Sequence, residues 1–225
     1  MLEVVAVLRR HVPDDTYRFE PARDFTGRNV YRASLIRLEN LEGAYAESLR
    51  AGHFDGTIAF VKARALERLR AYDLAAQHYR EAAELEEELA AEALRGAALC
   101  DALAEAAALE PEAGGAGSGA PAALFDRRAA LLETMLSDVR GSHYEAIVRE
   151  EVERADVARA RWLTDNRRAS EEGDVRAVAA WQQLILDHRD SKNANRHLLA
   201  LADLYSTLAT AYVEESPPES LRFDP

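Results

Sequence analysis

The chain has 225 residues, of which 48% are hydrophobic but only 7% aromatic, so it is long enough to bury a core and draws much of its apolar content from alanine. Runs rich in valine, isoleucine and threonine are missing apart from residues 2–8, which argues against a sheet protein. The formal net charge of −12, from 28 basic and 40 acidic residues, argues against a nucleic-acid-binding protein, which needs clustered positive charge.

Within the first 29 residues, residues 2–11 could form either a short helix or a strand. Pro13 and the two aspartates after it indicate a turn, and the aromatic and arginine side chains that follow have no regular spacing. We therefore predict an irregular N-terminal cap over residues 1–29. Four arginines in this segment and just after it could together hold an anionic ligand: Arg18, Arg23, Arg28 and Arg32.

A helical period begins at Val30 and predicts a first helical block over residues 30–109. The first helix has an apolar stripe with steps of three and four residues, which is typical of one buried face: Leu35, Leu38, Leu41, Tyr45 and Leu49. Gly52 is expected to end this helix. Three further helices are predicted at about residues 58–69, 72–85 and 89–109.

A glycine- and proline-rich segment at residues 110–121 has the composition of a flexible linker. It does not match a phosphate-binding loop, because no Gly-Lys-Ser/Thr follows and no strand precedes it. A second helical block is predicted over residues 122–214, with helices at about 124–139, 143–170, 175–187 and 193–214. Two prolines at 217 and 218 end helical structure, so residues 215–225 are expected to form a loose tail.

The segment from Tyr72 to Leu85 resembles the second helix of a tetratricopeptide repeat. That motif has an aromatic residue at the turn, a small residue three positions on, an aromatic four later and an alanine three after that. Those positions are filled by Tyr72, Ala75, Tyr79 and Ala82. The two alanines let helices approach closely, while the second aromatic fills the space between successive helix pairs.

A second occurrence begins at Gly173, where Ala177 and Trp181 take the positions of Ala75 and Tyr79. The chain that continues to Tyr205 is similar to repeats of bacterial envelope-assembly proteins of the same family, although it has His-Arg where those repeats have Tyr-Pro. The resemblance covers roughly residues 55–110 and 141–214. It implies an all-α fold, an α-solenoid of about eight helices in antiparallel hairpins; an irregular helical bundle is the alternative.

The resemblance also implies a concave groove lined by the first helix of each pair. By the phase of the motif, Phe60 and Arg64 face this groove in the first repeat and Arg167 faces it in the last. These three residues are therefore candidate partner-binding residues, because arginines there can bind a partner's carboxylates. The alternative for Arg64 is an ion pair with Glu67 or another local acid.

Catalytic and metal-binding patterns are missing from the sequence. The six histidines never occur four residues apart, the spacing that would place two zinc ligands on one helix face. Neither a Gly-x-Ser-x-Gly motif nor a cysteine–histidine signature is present, and Cys100 is the only cysteine. We therefore expect no enzyme activity, no metal site and no cofactor.

The resemblance implies a non-catalytic scaffold that binds a partner protein, as a peptide or a helix, through the groove. The alternative function is an anionic-ligand-binding or enzymatic helical domain that uses the arginine-rich N-terminal segment. No apolar run is long enough to span a membrane. The expected location is cytoplasmic by default, or periplasmic if a signal sequence has been removed.

Overall fold

A computed structural model describes residues 30–109 and 121–215 of the chain. Eight α-helices make up most of these residues and no strand occurs among them, which confirms the predicted all-α class. The helices are α1 (Val30–Ala51), α2 (Asp55–Arg68), α3 (Tyr72–Leu85), α4 (Glu87–Ala108), α5 (Pro121–Asp138), α6 (Tyr144–Asp165), α7 (Gly173–Asp187) and α8 (Ala194–Glu215). The predicted cap at residues 1–29, nearly all of the predicted linker and the predicted tail beyond residue 215 lie outside the described residues.

Most helix limits agree with the sequence periodicity to within a few residues. The largest difference is at the end of α6, which stops at Asp165 and is followed by a short 3-10 turn, Arg167–Ala169. A Cβ atom added to Gly173 would lie only 1.6 Å from the carbonyl oxygen of Arg167. The backbone of the 3-10 turn therefore approaches the start of α7 at a distance that only glycine permits.

The prediction of one buried stripe along α1 is wrong at its centre. Leu38 is fully buried as expected, but the Tyr45 side chain is 57% exposed. The backbone of Tyr45 leaves helical geometry, with φ −132° and ψ 27°, so the helix is kinked there. A kink rotates the residues beyond it out of the phase that the spacing alone predicts.

The described residues form two compact units. The first comprises residues 30–109 and 130–148, and the second comprises residues 121–129 and 149–215. The first unit includes the second half of α5 and the first residues of α6. The division of the sequence into helical blocks at 30–109 and 122–214 stays a prediction.

In the first unit, α2 and α3 form an antiparallel pair. The Thr57 hydroxyl at the start of α2 donates a hydrogen bond to Glu86 Oε2 just beyond the end of α3, at 2.8 Å. Small residues hold α3 close to its neighbours: Ala75 and Ala82 are fully buried. On α4, a Cβ atom added to Gly96 would lie 2.8 Å from the ring of Tyr79, so α4 also packs tightly against α3.

In the second unit, Trp181 of α7 is the centre of a small apolar core. Around it are the other buried members, Ala160, Ala177, Leu184 and Leu204. The indole Nε1 of Trp181 donates a hydrogen bond to Thr164 Oγ1 of α6 at 2.9 Å, which satisfies its buried polar atom. One face of the α7–α8 hairpin is thereby packed onto α6.

Candidate functional site

Arg64 is at the centre of a polar cluster in the first unit. Its guanidinium carbon lies 5.4 Å from the ring centres of Phe60 and Tyr144, within the range of cation–π contacts. Its Nη2 is 3.4 Å from Glu92 Oε1 of α4, and its Nη1 donates a hydrogen bond to Nε2 of His143. The Tyr144 hydroxyl also donates to Glu92 Oε1, at 3.3 Å.

Glu67 lies one turn beyond Arg64 on α2 and is fully buried. Its Oε2 accepts a hydrogen bond from the Tyr79 hydroxyl at 2.8 Å and lies 4.0 Å from the thiol sulfur of Cys100. Burial raises the pKa of Glu67, while the positive charge of Arg64 and the hydrogen bond from Tyr79 oppose that rise. The carboxyl group thus joins α2, α3 and α4 through one buried polar centre.

Two further titratable groups of the cluster, His143 and Cys100, are held in their neutral forms. Burial and the charge of Arg64 lower the pKa of His143 to about 3, and a neutral imidazole is the form that can accept the hydrogen bond from Arg64. Burial and the neighbouring Glu67 raise the pKa of the Cys100 thiol. A nucleophilic cysteine needs a lowered pKa, so the electrostatics here act against thiolate formation.

The three residues predicted to bind a partner occupy partly buried positions with contacts in their own units. Phe60 packs edge-on against Tyr79, with ring centres 5.5 Å apart. Arg64 is 17% exposed and pairs with Glu92 of α4, which is 28 residues away and is neither Glu67 nor another local acid. Arg167 belongs to the second unit, where its Nη1 donates to the Thr164 carbonyl at 3.1 Å. Their role in partner binding stays a prediction.

The sequence analysis missed a carboxylate that anchors the turn between α7 and α8. Glu153 Oε1 on α6 accepts hydrogen bonds from Ser191 Oγ at 2.6 Å, Asn193 Nδ2 at 3.3 Å and His197 Nε2 at 2.6 Å. Burial alone would raise the pKa of Glu153, but these hydrogen bonds outweigh it and lower the pKa. Next to it, the hydrogen bond from His188 Nε2 to Asp156 raises the pKa of His188.

Opposite this anchored side, the α7–α8 hairpin carries an exposed apolar face. On α7 it consists of Val175, Ala179, Gln182 and Leu186, and on α8 of Leu198, Ala202, Tyr205, Ala209 and Tyr212. The two helices are joined on this face by a hydrogen bond from Gln182 Nε2 to the Tyr205 hydroxyl, 3.1 Å long. We call these nine residues the α7–α8 face.

The α7–α8 face combines large exposure with a lack of charge. Its large apolar side chains are between 47% (Tyr205) and 71% (Val175) exposed, and Leu199 and Val213 at its edge add further exposed apolar surface. None of its nine residues is Asp, Glu, Lys, Arg or His, in a chain of formal net charge −12. The other side of the same hairpin buries Trp181 and Leu204 in the core of the unit. The exposed apolar residues of the α7–α8 face are therefore additional to those that form this core.

Comparisons with protein-family models, with curated proteins and with solved structures returned no match. Among the residues that the structure describes, no group of three histidine, cysteine, aspartate or glutamate side chains is placed to hold a metal ion. No helix in the described ranges has the length and apolar character needed to cross a bilayer. Of the four arginines suggested as an anion site, Arg18, Arg23 and Arg28 lie outside the described residues, and Arg32 is on an exposed side of α1.

Proposed function

We propose that this protein is a non-catalytic scaffold that holds another protein through helix packing. The observation that carries this proposal is the α7–α8 face, an exposed, uncharged apolar surface on a hairpin whose other side is packed on its own core. Contiguous apolar surface of this kind is characteristic of sites that bind other proteins. The partner that fits it is an α-helix, because the face itself consists of two helical stripes.

The repeat interpretation is part of the same proposal. It is supported by the way α3 packs: the buried Ala75 and Ala82 and the tight contact between Gly96 and Tyr79 are what tetratricopeptide-like hairpins require. In such folds one hairpin stacks on the next, so an exposed hairpin face can pack against a further helical element. The α7–α8 face is the surface of this kind in the second unit.

A capture experiment tests the proposal. The tagged chain is used as bait in extract of the source organism, beside a variant with Tyr212→Arg, which places a charge in the exposed α7–α8 face. Because a charged side chain resists burial in an apolar interface, the variant should lose proteins that the unmodified chain retains. Mass spectrometry identifies and quantifies the retained proteins.

The matched control is Thr207→Arg, which adds the same charge to the same helix on a different exposed side. A fourth bait with Phe60→Ala tests the predicted groove separately. Arg64→Glu is unsuitable, because it would place a third carboxylate beside Glu67 and Glu92 and disrupt folding. Identical protein sets from all four baits would show that neither surface binds a partner.

A further inference from the structure

We infer that the partner of the α7–α8 face is the same face of a second copy of this chain, so that the protein is a homodimer joined by a four-helix arrangement of two α7–α8 hairpins. This inference rests on the proposed function and names its partner. It depends on three properties of the face: its residue spacing, its neutrality and its area.

The spacing of the face follows a seven-residue repeat on both helices. On α8, Leu198, Tyr205 and Tyr212 are seven residues apart, and Ala202 and Ala209 lie between them at steps of four and three. On α7, Val175, Ala179, Gln182 and Leu186 follow the same steps. A sustained seven-residue apolar pattern is the seam along which helices pack side by side in bundles. Two hairpins that each present two such seams can form a four-helix bundle.

The neutrality of the face favours a copy of the chain over a partner selected by charge. Each copy carries a formal net charge of −12, so an interface with acidic side chains would bring like charges together. The α7–α8 face has no Asp, Glu, Lys, Arg or His, so it offers a basic amphipathic helix no acid to pair with. Apolar surface is complementary to itself, which is what a twofold interface between identical subunits requires.

The area of the face matches what a dimer needs. Seven large apolar side chains on the face and its edge are each about half or more exposed: Val175, Leu186, Leu198, Leu199, Tyr205, Tyr212 and Val213. A large aromatic side chain can bury about 150–250 Å², so seven large side chains that are about half exposed offer on the order of 700 Å². A stable interface takes about 800 Å² from each partner, so the face is close to that size before its alanines are counted.

Sedimentation equilibrium of the purified full chain tests the inference directly. We expect twice the chain mass of 24.9 kDa for the unmodified protein. Tyr212→Arg on α8 and Leu186→Arg on α7 should each return the mass to 24.9 kDa, whereas Thr207→Arg should remain dimeric. Far-UV circular dichroism of each variant establishes that the helices are intact, which the exposure of all three positions favours.

Salt gives a second measurement on the unmodified protein. Added sodium chloride screens the repulsion between two acidic copies and leaves apolar packing in place. The dimer dissociation constant should therefore fall as salt is added. A dissociation constant that rises with salt would overturn the inference, since it would mean that opposite charges hold the copies together.

The outcomes separate the two proposals. A monomer at every soluble concentration, or a dimer that persists in both Tyr212→Arg and Leu186→Arg, overturns the homodimer. If the chain is monomeric but loses a captured protein on Tyr212→Arg, the scaffold stands and its partner is another protein. If it is monomeric and Tyr212→Arg mainly lowers its melting temperature relative to Thr207→Arg, the face is covered by the chain itself and both proposals fail.

Discussion

The Tyr79 hydroxyl donates a 2.8 Å hydrogen bond to the buried carboxylate of Glu67, which lies twelve residues earlier on the neighbouring helix. The same Tyr79 ring packs against Phe60 on one side and faces Gly96 on another. One side chain therefore joins α2, α3 and α4 by a polar contact, a ring contact and a close backbone approach. The ring and the hydroxyl group of Tyr79 are therefore both used where these three helices meet.

We expect Tyr79→Phe to lower the free energy of unfolding by about 1–3 kcal/mol, because it leaves the buried Glu67 without this donor. The ring contact with Phe60 is retained, so the loss isolates the hydrogen bond. Urea unfolding followed by circular dichroism measures it. Tyr45→Phe, at an exposed position on α1, is the control and should change the free energy by less than about 0.5 kcal/mol. Equal changes in the free energy of unfolding for the two variants would show that the hydrogen bond from Tyr79 to Glu67 does not stabilise the fold.

Two glycines inside helices should respond to alanine in opposite directions. A Cβ atom at Gly96 would lie 2.8 Å from ring atoms of Tyr79, which is buried and cannot move aside, so Gly96→Ala should destabilise by about 1–3 kcal/mol. A Cβ atom at Gly43 on α1 meets nothing within 4 Å, so Gly43→Ala should stabilise by about 0.5–1 kcal/mol through helix propensity. Thermal unfolding of both variants measures the sign of each change in stability. Stabilisation by both substitutions would show that α4 does not pack tightly on Tyr79.

The sequence predicted the helices well because their periodicity is local. The segment Tyr72–Leu85 has the limits expected from its own spacing, since each turn of the helix repeats the same apolar face. The kink at Tyr45 was missed because the steps of three and four continue through it, and spacing records residue type but not backbone angle. The seven-residue pattern on α8 was readable from the sequence, although its exposure was not.

The polar contacts could not be predicted because their partners are distant in the chain. Arg64 and His143 are 79 residues apart, and Glu153 accepts from residues 38 to 44 positions away. These separations do not recur along the chain, so no periodic pattern in the sequence indicates that these residues are in contact. The chain has 40 acidic residues, and only packing distinguishes the few that are buried, such as Glu67 and Glu153, from those on solvated helix faces.

His143 should make the first unit sensitive to mild acid. Its pKa is lowered to about 3 by burial and by Arg64, against an ordinary value of 6.5, so between these two pH values the unfolded chain binds more protons than the folded one. Stability then rises with pH through that window and is lost on acidification. His143→Gln should flatten this part of the pH dependence, whereas His78→Gln should follow the unmodified protein. Melting temperatures are measured for each protein from pH 4 to pH 7. Parallel curves for His143→Gln and the unmodified protein would show that His143 does not cause the acid sensitivity.

Glu153 should stabilise the α7–α8 turn through its charge. The folded-state pKa of this group is lowered by the hydrogen bonds that it accepts, so its contribution is present above the ordinary value of 4.5 and is lost as the pH falls through the folded value. Replacing the carboxylate by an amide weakens charge-assisted bonds to Ser191 and His197, so Glu153→Gln should cost about 1–3 kcal/mol at neutral pH.

This cost can be measured in the second unit alone, because both tryptophans of the chain, Trp162 and Trp181, belong to that unit. Urea unfolding is followed by tryptophan fluorescence at neutral pH and again below pH 4.5. Glu172→Gln is the matched control: its 3.0 Å pair with Arg176 is exposed, so its loss should change the free energy by less than about 0.5 kcal/mol. The difference between the two variants should shrink in acid, where Glu153 itself becomes protonated. A difference that stays constant with pH would mean that Glu153 acts through shape alone.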